Sequence, residues 1–356
     1  MIPVRRASIA NLTQVVAALL GGEDIVVIPE GVSVEERDLP EGFVGAVVST
    51  SGSTGDPKSV MLSRSALLAA AHACHERLGG PGVWVNPLSV LHVGGLMTVV
   101  RAVVAGCPYV CTDSDLGNLP KAQGRAYLSI VPTQLHRALS NPTISATMAT
   151  YSAVLVGGQG LDPTLRTRAE AAGIRVVETY GMSETCGGVV YDGVPLAGVV
   201  PFVETGRIGL RTPTAFTGYV GLPELTETIL RDGAVLTSDR GTWDGHALTI
   251  TGRVDDVVVS GGVNVDLAAL QRQLDDVFPQ ETACFAVSDE QWGVIIAVAS
   301  TGPDLASIQA GLAGRVESAA RPRLWMGLDA LPSTDSGKMD RRALVSMWKD
   351  EYGERA

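Results

Sequence analysis

The sequence predicts an α/β protein with a large amino-terminal α/β domain, whose sheet is mostly parallel and joined by a β-rich segment, and a small carboxy-terminal α+β domain. Three observations support this prediction. Apolar runs of strand length alternate with helix-like stretches over 43–179, short β-like pieces follow over 187–251, and a compact α+β pattern begins after 252. Two domains are also expected for 356 residues. The predicted domains are 1–254 and 255–356.

The amino-terminal part predicts a parallel sheet flanked by helices. The chain begins with a basic segment and an amphipathic helix pattern rather than a signal peptide. Strand-like runs then follow in the order FVGAVV (43–48), VWVNPLSVL (83–91), PYVCT (108–112), AYLSIV (126–131), AVLVGG (153–158) and IRVVET (174–179). Helix-like stretches lie at 65–78, 94–106, 132–140 and 162–173. Ligands bind beyond the carboxyl ends of parallel strands, so the loops after 48 and 179 are expected on one functional edge.

The carboxy-terminal part predicts a compact unit of about 100 residues, a plausible size for a domain. The predicted elements are a helix at 267–278, strands in TACFAVSD (282–289) and WGVIIAVAS (292–300), a helix at 304–320 and a last helix at 341–350. The boundary is placed near Asp255, where the texture of the sequence changes.

Composition and charge exclude several classes of protein. Apolar residues make up 46% and charged residues 18% of the chain, which is typical of a globular protein. No uninterrupted apolar run is long enough to span a bilayer. The net charge of −11 is unfavourable for binding nucleic acid or an anionic membrane surface. Five cysteines without C-x-x-C spacing indicate reduced thiols, and no histidine cluster accompanies Cys107 and Cys111, so no zinc site is expected. With neither a membrane span nor a signal peptide expected, a cytoplasmic protein is predicted.

The stretch STSGSTGDPKSVMLS (49–63) has the composition of an anion-binding loop. Small residues between a strand and a helix let backbone N–H groups surround an anion, and Lys58 adds a mobile charge. The spacing does not match the Walker pattern, because Gly52 and Gly55 are too close and Pro57 precedes the lysine. A flexible surface loop is the alternative interpretation.

Four motifs follow one another in a fixed order, namely STSGSTGDPK (49–58), YGMSET (180–185), TSDRG with GRVDDVVVSGG (237–241 and 252–262), and PSTDSGKMDRRAL (332–344). Together they closely resemble the motifs of the adenylate-forming superfamily, which contains acyl-CoA synthetases, peptide-synthetase adenylation domains and luciferases. The resemblance extends from about Phe43 to Leu344. It implies an enzyme with a carboxy-terminal domain on a hinge, and it implies ATP, Mg²⁺ and coenzyme A as cofactors.

The resemblance also implies which residues bind ATP. The matches to the loop that covers the β- and γ-phosphates are Thr50, Ser51, Gly52, Ser53, Thr54, Gly55 and Lys58. The matches to residues around adenine, ribose and the acyl group are Gly157, Gly158, Gln159, Tyr180, Gly181, Ser183, Asp239 and Arg253. Glu184 matches the glutamate that holds Mg²⁺. Ser59 departs from the glycine that is usual after the lysine.

The carboxy-terminal matches concern the two steps that the resemblance implies, namely formation of an acyl-adenylate and transfer of the acyl group to a thiol. Lys338 matches the catalytic lysine, and Asp255 matches the hinge residue. A carboxylate that attacks the α-phosphate brings two negative groups together, so cations must neutralise them. Lys338 is therefore expected to bridge the acid and the α-phosphate. Rotation about the hinge would then bring the loop of Ser260, Gly261 and Gly262 over a tunnel for the thiol.

Two stretches narrow the identity of the acid substrate. SVLHVGGLMTVVRAVVAG (89–106) and VVVSGGVNV (257–265) resemble the o-succinylbenzoate–CoA ligases of menaquinone biosynthesis. That acid carries two carboxylates, of which one is activated and the other needs a cation. Arg101 is the candidate cation, and a surface salt bridge is its alternative role.

Further residues complete the predicted acid site. His92 is expected to hydrogen-bond the substrate or to gate the thiol tunnel, and an ordinary core histidine is the alternative. Gly158 and Gly181 are assigned to the acid as well as to ATP. The apolar walls of the pocket are predicted at Leu96, Val99 and Val156.

The expected partners are a small-molecule acid, ATP and CoA. Only 49 residues precede Thr50, and such a shortened form would expose apolar surface that favours a homodimer. Other functions compatible with the motifs are another aryl- or acyl-CoA ligase and an enzyme that loads a carrier protein. A nucleotide-binding pseudoenzyme is disfavoured by Lys58, Glu184, Asp239 and Lys338. A Walker-type NTPase is disfavoured by the loop spacing.

Overall fold

The computed structural model describes residues 2–50, 58–254, 256–260, 262–279, 281–289, 293–333 and 339–353. The chain divides into two compact units. Unit 1 consists of Met1–Glu204, Gly209–Thr237 and Trp243–Leu248. Unit 2 consists of Thr205–Ile208, Ser238–Thr242 and Thr249–Ala356. The domain boundary at residue 255 stays a prediction.

The elements before residue 255 are mostly strands. The strands are β1 (Val4–Ala7), β2 (Val26–Pro29), β3 (Gly45–Ser49), β4 (Ser59–Ser63), β5 (Val83–Asn86), β6 (Tyr109–Cys111), β7 (Ala126–Ile130), β8 (Ala153–Gly157), β9 (Val176–Met182), β10 (Gly187–Tyr191), β11 (Val194–Pro195), β12 (Val200–Glu204), β13 (Arg207–Arg211), β14 (Gly218–Tyr219), β15 (Leu230–Arg231), β16 (Ala234–Trp243) and β17 (Leu248–Arg253). The helices are α1 (Leu12–Leu20), α2 (Arg64–Leu78), α3 (Val93–Ala105), α4 (Pro132–Leu139), α5 (Pro142–Met148), α6 (Pro163–Ala171) and α7 (Pro223–Ile229).

A seven-stranded sheet in the order β11-β10-β9-β8-β7-β5-β6 forms the main layer of unit 1. Its strands β5 to β9 are parallel, and β10 and β11 continue it in antiparallel fashion. Every residue of β7 is buried, as expected for a parallel strand covered on both faces. The predicted α/β fold class with a mostly parallel sheet is confirmed.

A second sheet in the order β1-β2-β3-β4-β14 was not predicted as a separate layer. Its strands β1, β2 and β3 are parallel, whereas β4 runs antiparallel to both β3 and β14. The predicted helix at 65–78 is present as α2, but the last part of the loop predicted at 49–63 is strand β4. All three central residues of β4 are buried, so no alternation of apolar and polar residues distinguishes it from a helix turn.

Helix α3 is enclosed on several sides. It contributes Leu96, Met97, Val99 and Val100 to a core cluster that also contains side chains of α1, α2, β3 and β4. It also contacts β5 and β10 of the seven-stranded sheet. A helix enclosed on several sides buries even its polar residues, and this placement accounts for the burial of Arg101.

Unit 2 contains a hairpin, a three-stranded sheet and helices on both faces of that sheet. Its remaining elements are β18 (Val257–Ser260), β19 (Val263–Asp266), α8 (Leu267–Val277), β20 (Thr282–Asp289), β21 (Gly293–Ser300), α9 (Leu305–Gly311), β22 (Leu324–Gly327) and α10 (Arg341–Tyr352). Side chains of β20 alternate, with Cys284 in the cluster of α8 and Phe285 in the cluster of α10.

The helix predicted at 304–320 is shorter than expected. It ends at Gly311, and only a 3₁₀ turn follows at Ser318–Ala320. Gly314 adopts a φ of 74°, in the left-handed region that interrupts a helix. Among the described residues, no helix combines the length and hydropathy needed to cross a bilayer.

Candidate functional site

Thr50 and Lys58, at the two ends of the predicted phosphate loop, are hydrogen-bonded to each other, and we call this pair the neck. The amide of Thr50 donates to the carbonyl of Lys58 at 2.8 Å, and the Lys58 amide donates to Thr50 Oγ1 at 3.3 Å. The pairing of Ser49 with Ser59 continues this neck into β3 and β4. The neck fixes the backbone of Lys58 at the end of the sheet. The remaining predicted loop residues lie outside the described part of the chain, namely Ser51, Gly52, Ser53, Thr54 and Gly55.

Glu184 and Lys58 both lie against the side chain of Tyr219, a residue that was not predicted. Glu184 lies in the 3₁₀ turn Ser183–Thr185, directly after β9. The hydroxyl of Tyr219 donates to Glu184 Oε1 at 2.5 Å, and Lys58 Nζ lies 5.7 Å from the centroid of the same ring. Burial and the Glu184 carboxylate raise the pKa of Tyr219 well above its ordinary value, so the hydroxyl stays protonated at neutral pH.

The carboxylate of Glu184 fits a magnesium ion that arrives with a nucleotide. Mg²⁺ is commonly held by one or two carboxylates together with substrate phosphates and water. The described residues contain no group of three or more histidine, cysteine or acidic side chains that would form a complete metal site. Within the same residues, only Oε1 of Glu184 accepts a hydrogen bond, which leaves Oε2 for such an ion.

Glycines pack the ends of β8, β9 and β10 against one another. A Cβ added at Gly181 would lie 2.0 Å from the carbonyl oxygen of Gly187, and one at Gly157 would lie 2.4 Å from Thr179 Oγ1. A larger residue at Gly181 would displace the backbone of β10, and one at Gly157 would displace the Thr179 side chain. The predicted residues Gly157 and Gly181 thus form a surface without side chains, which we call the glycine floor. Gly158, with a φ of 84°, lies beside it.

Two predicted nucleotide-binding side chains lie at the same strand ends. Gln159 follows β8 and the Gly157–Gly158 turn, and Tyr180 lies within β9. Tyr180 is partly exposed. Ser183 begins the 3₁₀ turn that carries Glu184.

His92 links α3 to the neck of the phosphate loop. It precedes the first residue of α3, and its Nδ1 lies 3.0 Å from the carbonyl oxygen of Ser49. A carbonyl oxygen only accepts, so Nδ1 is the donor of this hydrogen bond. The ring is only partly buried, which differs from the alternative of a core histidine.

Arg101 is buried, with 5% of its surface exposed. Its Cζ lies 5.0 Å from the Trp84 ring centroid, and its Nη2 lies 3.5 Å from the hydroxyl of Tyr191. No hydrogen-bond partner for Nε exists among the described residues, and none of their carboxylates forms an ion pair with the guanidinium. The alternative of a surface salt bridge is therefore wrong.

The groups around Arg101 carry no compensating negative charge. Burial raises the pKa of the Tyr191 hydroxyl and of the Cys186 thiol well above their ordinary values, so both are neutral at pH 7. A guanidinium stays protonated under these conditions. The positive charge of Arg101 is therefore buried among neutral groups. No acidic residue of the described chain balances it.

The predicted apolar walls of the pocket are not supported. Leu96, Val99 and Val156 have no exposed surface. Leu96 and Val99 pack in one core cluster and Val156 in another. Apolar residues in a sequence do not show whether they face a cavity or a core, so their burial could not be foreseen.

Unit 2 holds two predicted nucleotide-binding residues as an ion pair. Arg253 Nη1 donates to Asp239 Oδ1 at 2.9 Å, and the Asp239 side chain is nearly buried. The predicted loop residue Ser260 ends β18 and pairs with Val263, while Gly262 adopts a φ of 81°. The predicted residues Asp255, Gly261 and Lys338 lie outside the described part of the chain.

Sequence reasoning missed Tyr219, Trp84 and Tyr191. Each lies in a strand whose aromatic residues are expected to fill a core, and no local motif marks them as functional. Only their contacts with Glu184 and Arg101 in the folded chain identify them.

The fold and the motif residues at these strand ends are those expected of an enzyme that binds an adenine nucleotide. The chain belongs to the AMP-binding enzyme family, which matches residues 21–223. It is 37% identical over 329 residues to a protein of Mycobacterium tuberculosis named probable 2-succinylbenzoate–CoA ligase, covering 86% of this chain and 85% of the relative. A 2-succinylbenzoate–CoA ligase of Enterococcus faecalis is 26% identical, covering 87% and 70%.

Solved structures agree with this family. ATP-bound MatB from Rhodopseudomonas palustris is 26% identical and superimposes with a TM-score of 0.74, covering 86% of this chain and 68% of MatB. The o-succinylbenzoate CoA synthetase MenE from Bacillus subtilis, in complex with the acyl-adenylate OSB-AMP, is 20% identical with a TM-score of 0.75 and covers 93% and 80%. That likeness concerns the fold. The resemblance to adenylate-forming enzymes is confirmed.

A decrease in pH from 7 to 5 should destabilise the chain through His75. Burial, with the charges of Arg101 and His72, lowers the pKa of His75 from 6.5 to about 4. The unfolded chain binds a proton there below pH 6.5 and the folded chain only near pH 4, so stability falls as the pH decreases through this window. At pH 5 the loss amounts to about 2 kcal/mol.

Urea unfolding at both pH values measures this effect. His75→Gln should reduce the difference in unfolding free energy between pH 7 and pH 5, because the variant has no imidazole to protonate. The exposed His246 provides the control substitution, His246→Gln. An unchanged pH dependence in His75→Gln would contradict the prediction.

Proposed function

We propose that this chain is an ATP-dependent acid–CoA ligase that acts on 2-succinylbenzoate. It forms the acyl-adenylate and pyrophosphate, and then transfers the acyl group to CoA to give 2-succinylbenzoyl-CoA and AMP. Membership of the AMP-binding family and the relatives named 2-succinylbenzoate–CoA ligase support the reaction class. The observation that carries the substrate assignment is the buried charge of Arg101, which has no acidic partner among the described residues.

In the first half-reaction, a carboxylate oxygen attacks the α-phosphorus of ATP and the bond to the bridging oxygen of pyrophosphate breaks. Both reactants are anionic, so the residues mainly supply position and positive charge. Lys58 stabilises the leaving pyrophosphate, and Lys338 stabilises charge at the carboxylate and the α-phosphate. Glu184 would hold Mg²⁺, which would supply further neutralisation of the phosphates.

The adenylate-forming motifs assign two side chains to the nucleoside. Tyr180 offers its ring to adenine above the glycine floor, and Asp239 offers its carboxylate to the ribose hydroxyls. Arg253, which pairs with Asp239 at 2.9 Å, fixes the orientation of that carboxylate. These roles follow the adenylate-forming motifs and agree with the side-chain types.

In the second half-reaction, the CoA thiolate attacks the acyl carbon, a thioester forms and AMP leaves. Ser260, Gly261 and Gly262 are proposed to border the path of the pantetheine arm, because small residues leave room for it. Asp255 is proposed as the hinge residue. A homodimer also remains a proposal.

Arg101 is proposed to bind the carboxylate of 2-succinylbenzoate that is not activated. Val93 and Met97 lie on the same face of α3 at i, i+4 spacing and face Gly187, which adjoins the glycine floor. A substrate carboxylate would supply the negative charge that the described residues around Arg101 lack. A simple benzoate, with one carboxylate, would leave that charge unbalanced.

The assay that tests the proposed function measures acid-dependent pyrophosphate release. 2-Succinylbenzoate should give the highest kcat/KM among a set that includes plain benzoates and fatty acids, and CoA should be the acyl acceptor. A preference for fatty acids with a carrier protein would instead favour a loading enzyme. Relatives named fatty-acid–[acyl-carrier-protein] ligases, 28% identical over 85% of this chain, make that outcome the main competitor.

Arg101→Met should separate substrate selectivity from stability. The KM for 2-succinylbenzoate should rise by about 10²-fold, since a charge-assisted contact is lost, whereas the KM for a plain benzoate should change little. The free energy of unfolding should increase by about 1 kcal/mol or more, because an unbalanced buried charge is replaced by an apolar side chain of similar length.

Matched variants make this result interpretable. Arg101→Lys keeps the charge and should retain part of the selectivity. Arg168→Met removes an exposed arginine of α6 and should alter neither quantity. An equal rise in KM for both acids would remove Arg101 from the proposed role.

Lys338→Ala should slow formation of the acyl-adenylate by about 10²–10³-fold, the typical cost of one well-placed charge in a transition state. Acid-dependent ATP–pyrophosphate exchange measures this step directly. The chain has only four lysines, and Lys121→Ala provides a control at an exposed position. Full exchange activity in Lys338→Ala would refute the assigned role.

A further inference from the structure

We propose that Tyr219 is a positioning residue of the adenylation step, whose hydroxyl orients the Glu184 carboxylate while its ring orients the Lys58 ammonium. Glu184 and Lys58 are the groups assigned above to the magnesium ion and to the leaving pyrophosphate. One neutral side chain thereby sets the position of an anion and of a cation that must meet the same phosphate chain. This inference rests on the proposed function and adds a residue to it.

The two contacts use different parts of the side chain. The hydroxyl donates to Glu184 Oε1 at 2.5 Å, a short distance typical of a hydrogen bond to a carboxylate. The ring centroid lies 5.7 Å from Lys58 Nζ, within the range of a cation–π contact. Removal of the hydroxyl therefore affects Glu184 alone, whereas removal of the ring affects both charged groups.

The backbone around Tyr219 is held on both sides. Within the β14 pairing, Tyr219 lies opposite Val60 of β4, two residues after Lys58. Its amide donates to Thr226 Oγ1 at 2.9 Å, and its ring packs edge-on against Phe216 with centroids 5.0 Å apart. The amide of Phe216 donates in turn to the carbonyl of Glu184 at 2.9 Å. Strand β14 thus fixes the tyrosine relative to both partners.

The hydrogen bond has a chemical consequence for the carboxylate. A free glutamate side chain samples several rotamers, and a fixed one loses less entropy when it binds an ion. The hydroxyl occupies Oε1, and the described part of the chain offers no hydrogen-bond donor to Oε2. Tyr219 therefore selects one oxygen of Glu184 for the ion that accompanies ATP.

Calorimetric titration of ATP into the full chain, with Mg²⁺ and separately with EDTA, tests the proposal. Tyr219→Phe keeps the ring and should weaken ATP binding by about ten-fold in Mg²⁺, with little change in EDTA. Tyr219→Leu removes the ring as well and should weaken binding in both conditions, because the position of Lys58 is also lost. In steady-state assays, Tyr219→Phe should raise the KM for MgATP without raising the KM for the acid.

Tyr151→Phe is the matched control. The Tyr151 hydroxyl is also hydrogen-bonded, to the carbonyl of Pro120 at 2.6 Å, and its loss should leave ATP binding unchanged in both conditions. Unchanged MgATP binding in Tyr219→Phe would overturn the proposal, and so would an equal loss in Mg²⁺ and EDTA, since that result indicates a structural role. The titration needs no acid, so failure of pyrophosphate release with 2-succinylbenzoate would refute the substrate and leave the Tyr219 result valid.

Discussion

The antiparallel pairing of β4 with β14 is the constraint on which the candidate ATP site depends. Strand β4 starts directly after Lys58, and β14 carries Tyr219 to its side. The segment just before β14 then hydrogen-bonds the turn that contains Glu184. Residues far apart in the sequence and in two different sheets are thereby held around one aromatic ring. The ladder is only two residues long on the β14 side, so its register determines the site.

Charged residues are held in different ways within each unit. In unit 2, Asp239 pairs with Arg253, and in unit 1, one oxygen of Glu184 accepts a hydrogen bond from a neutral hydroxyl. Arg101 is enclosed by Trp84 and by protonated groups instead, and it keeps its full charge. A buried charge without a partner is costly for a folded chain. Such a cost is typical of a position that serves a ligand rather than the fold.

Much of the fold could be predicted from the sequence because its strongest signals are local. The runs AYLSIV and AVLVGG became β7 and β8, and the apolar stretch at 94–106 became α3 with little change in bounds. The existence of β4 and of a second sheet could not be predicted, since pairing partners depend on contacts between distant residues. For the same reason, the contacts of Tyr219 and Tyr191 with charged residues could not be predicted. The expectation that the loops after 48 and 179 share one edge of a sheet was wrong, because β3 and β9 belong to different sheets, although Lys58 and Glu184 both lie against Tyr219.

The neck between Thr50 and Lys58 separates the phosphate-loop segment from the architecture beneath it. One backbone bond between Thr50 and Lys58 and one bond to Thr50 Oγ1 close the neck, and the pairing of Ser49 with Ser59 continues below it. The position of Lys58 is therefore coupled to the register of β3 and β4, so a shift of one strand past the other would also move the ammonium-bearing residue.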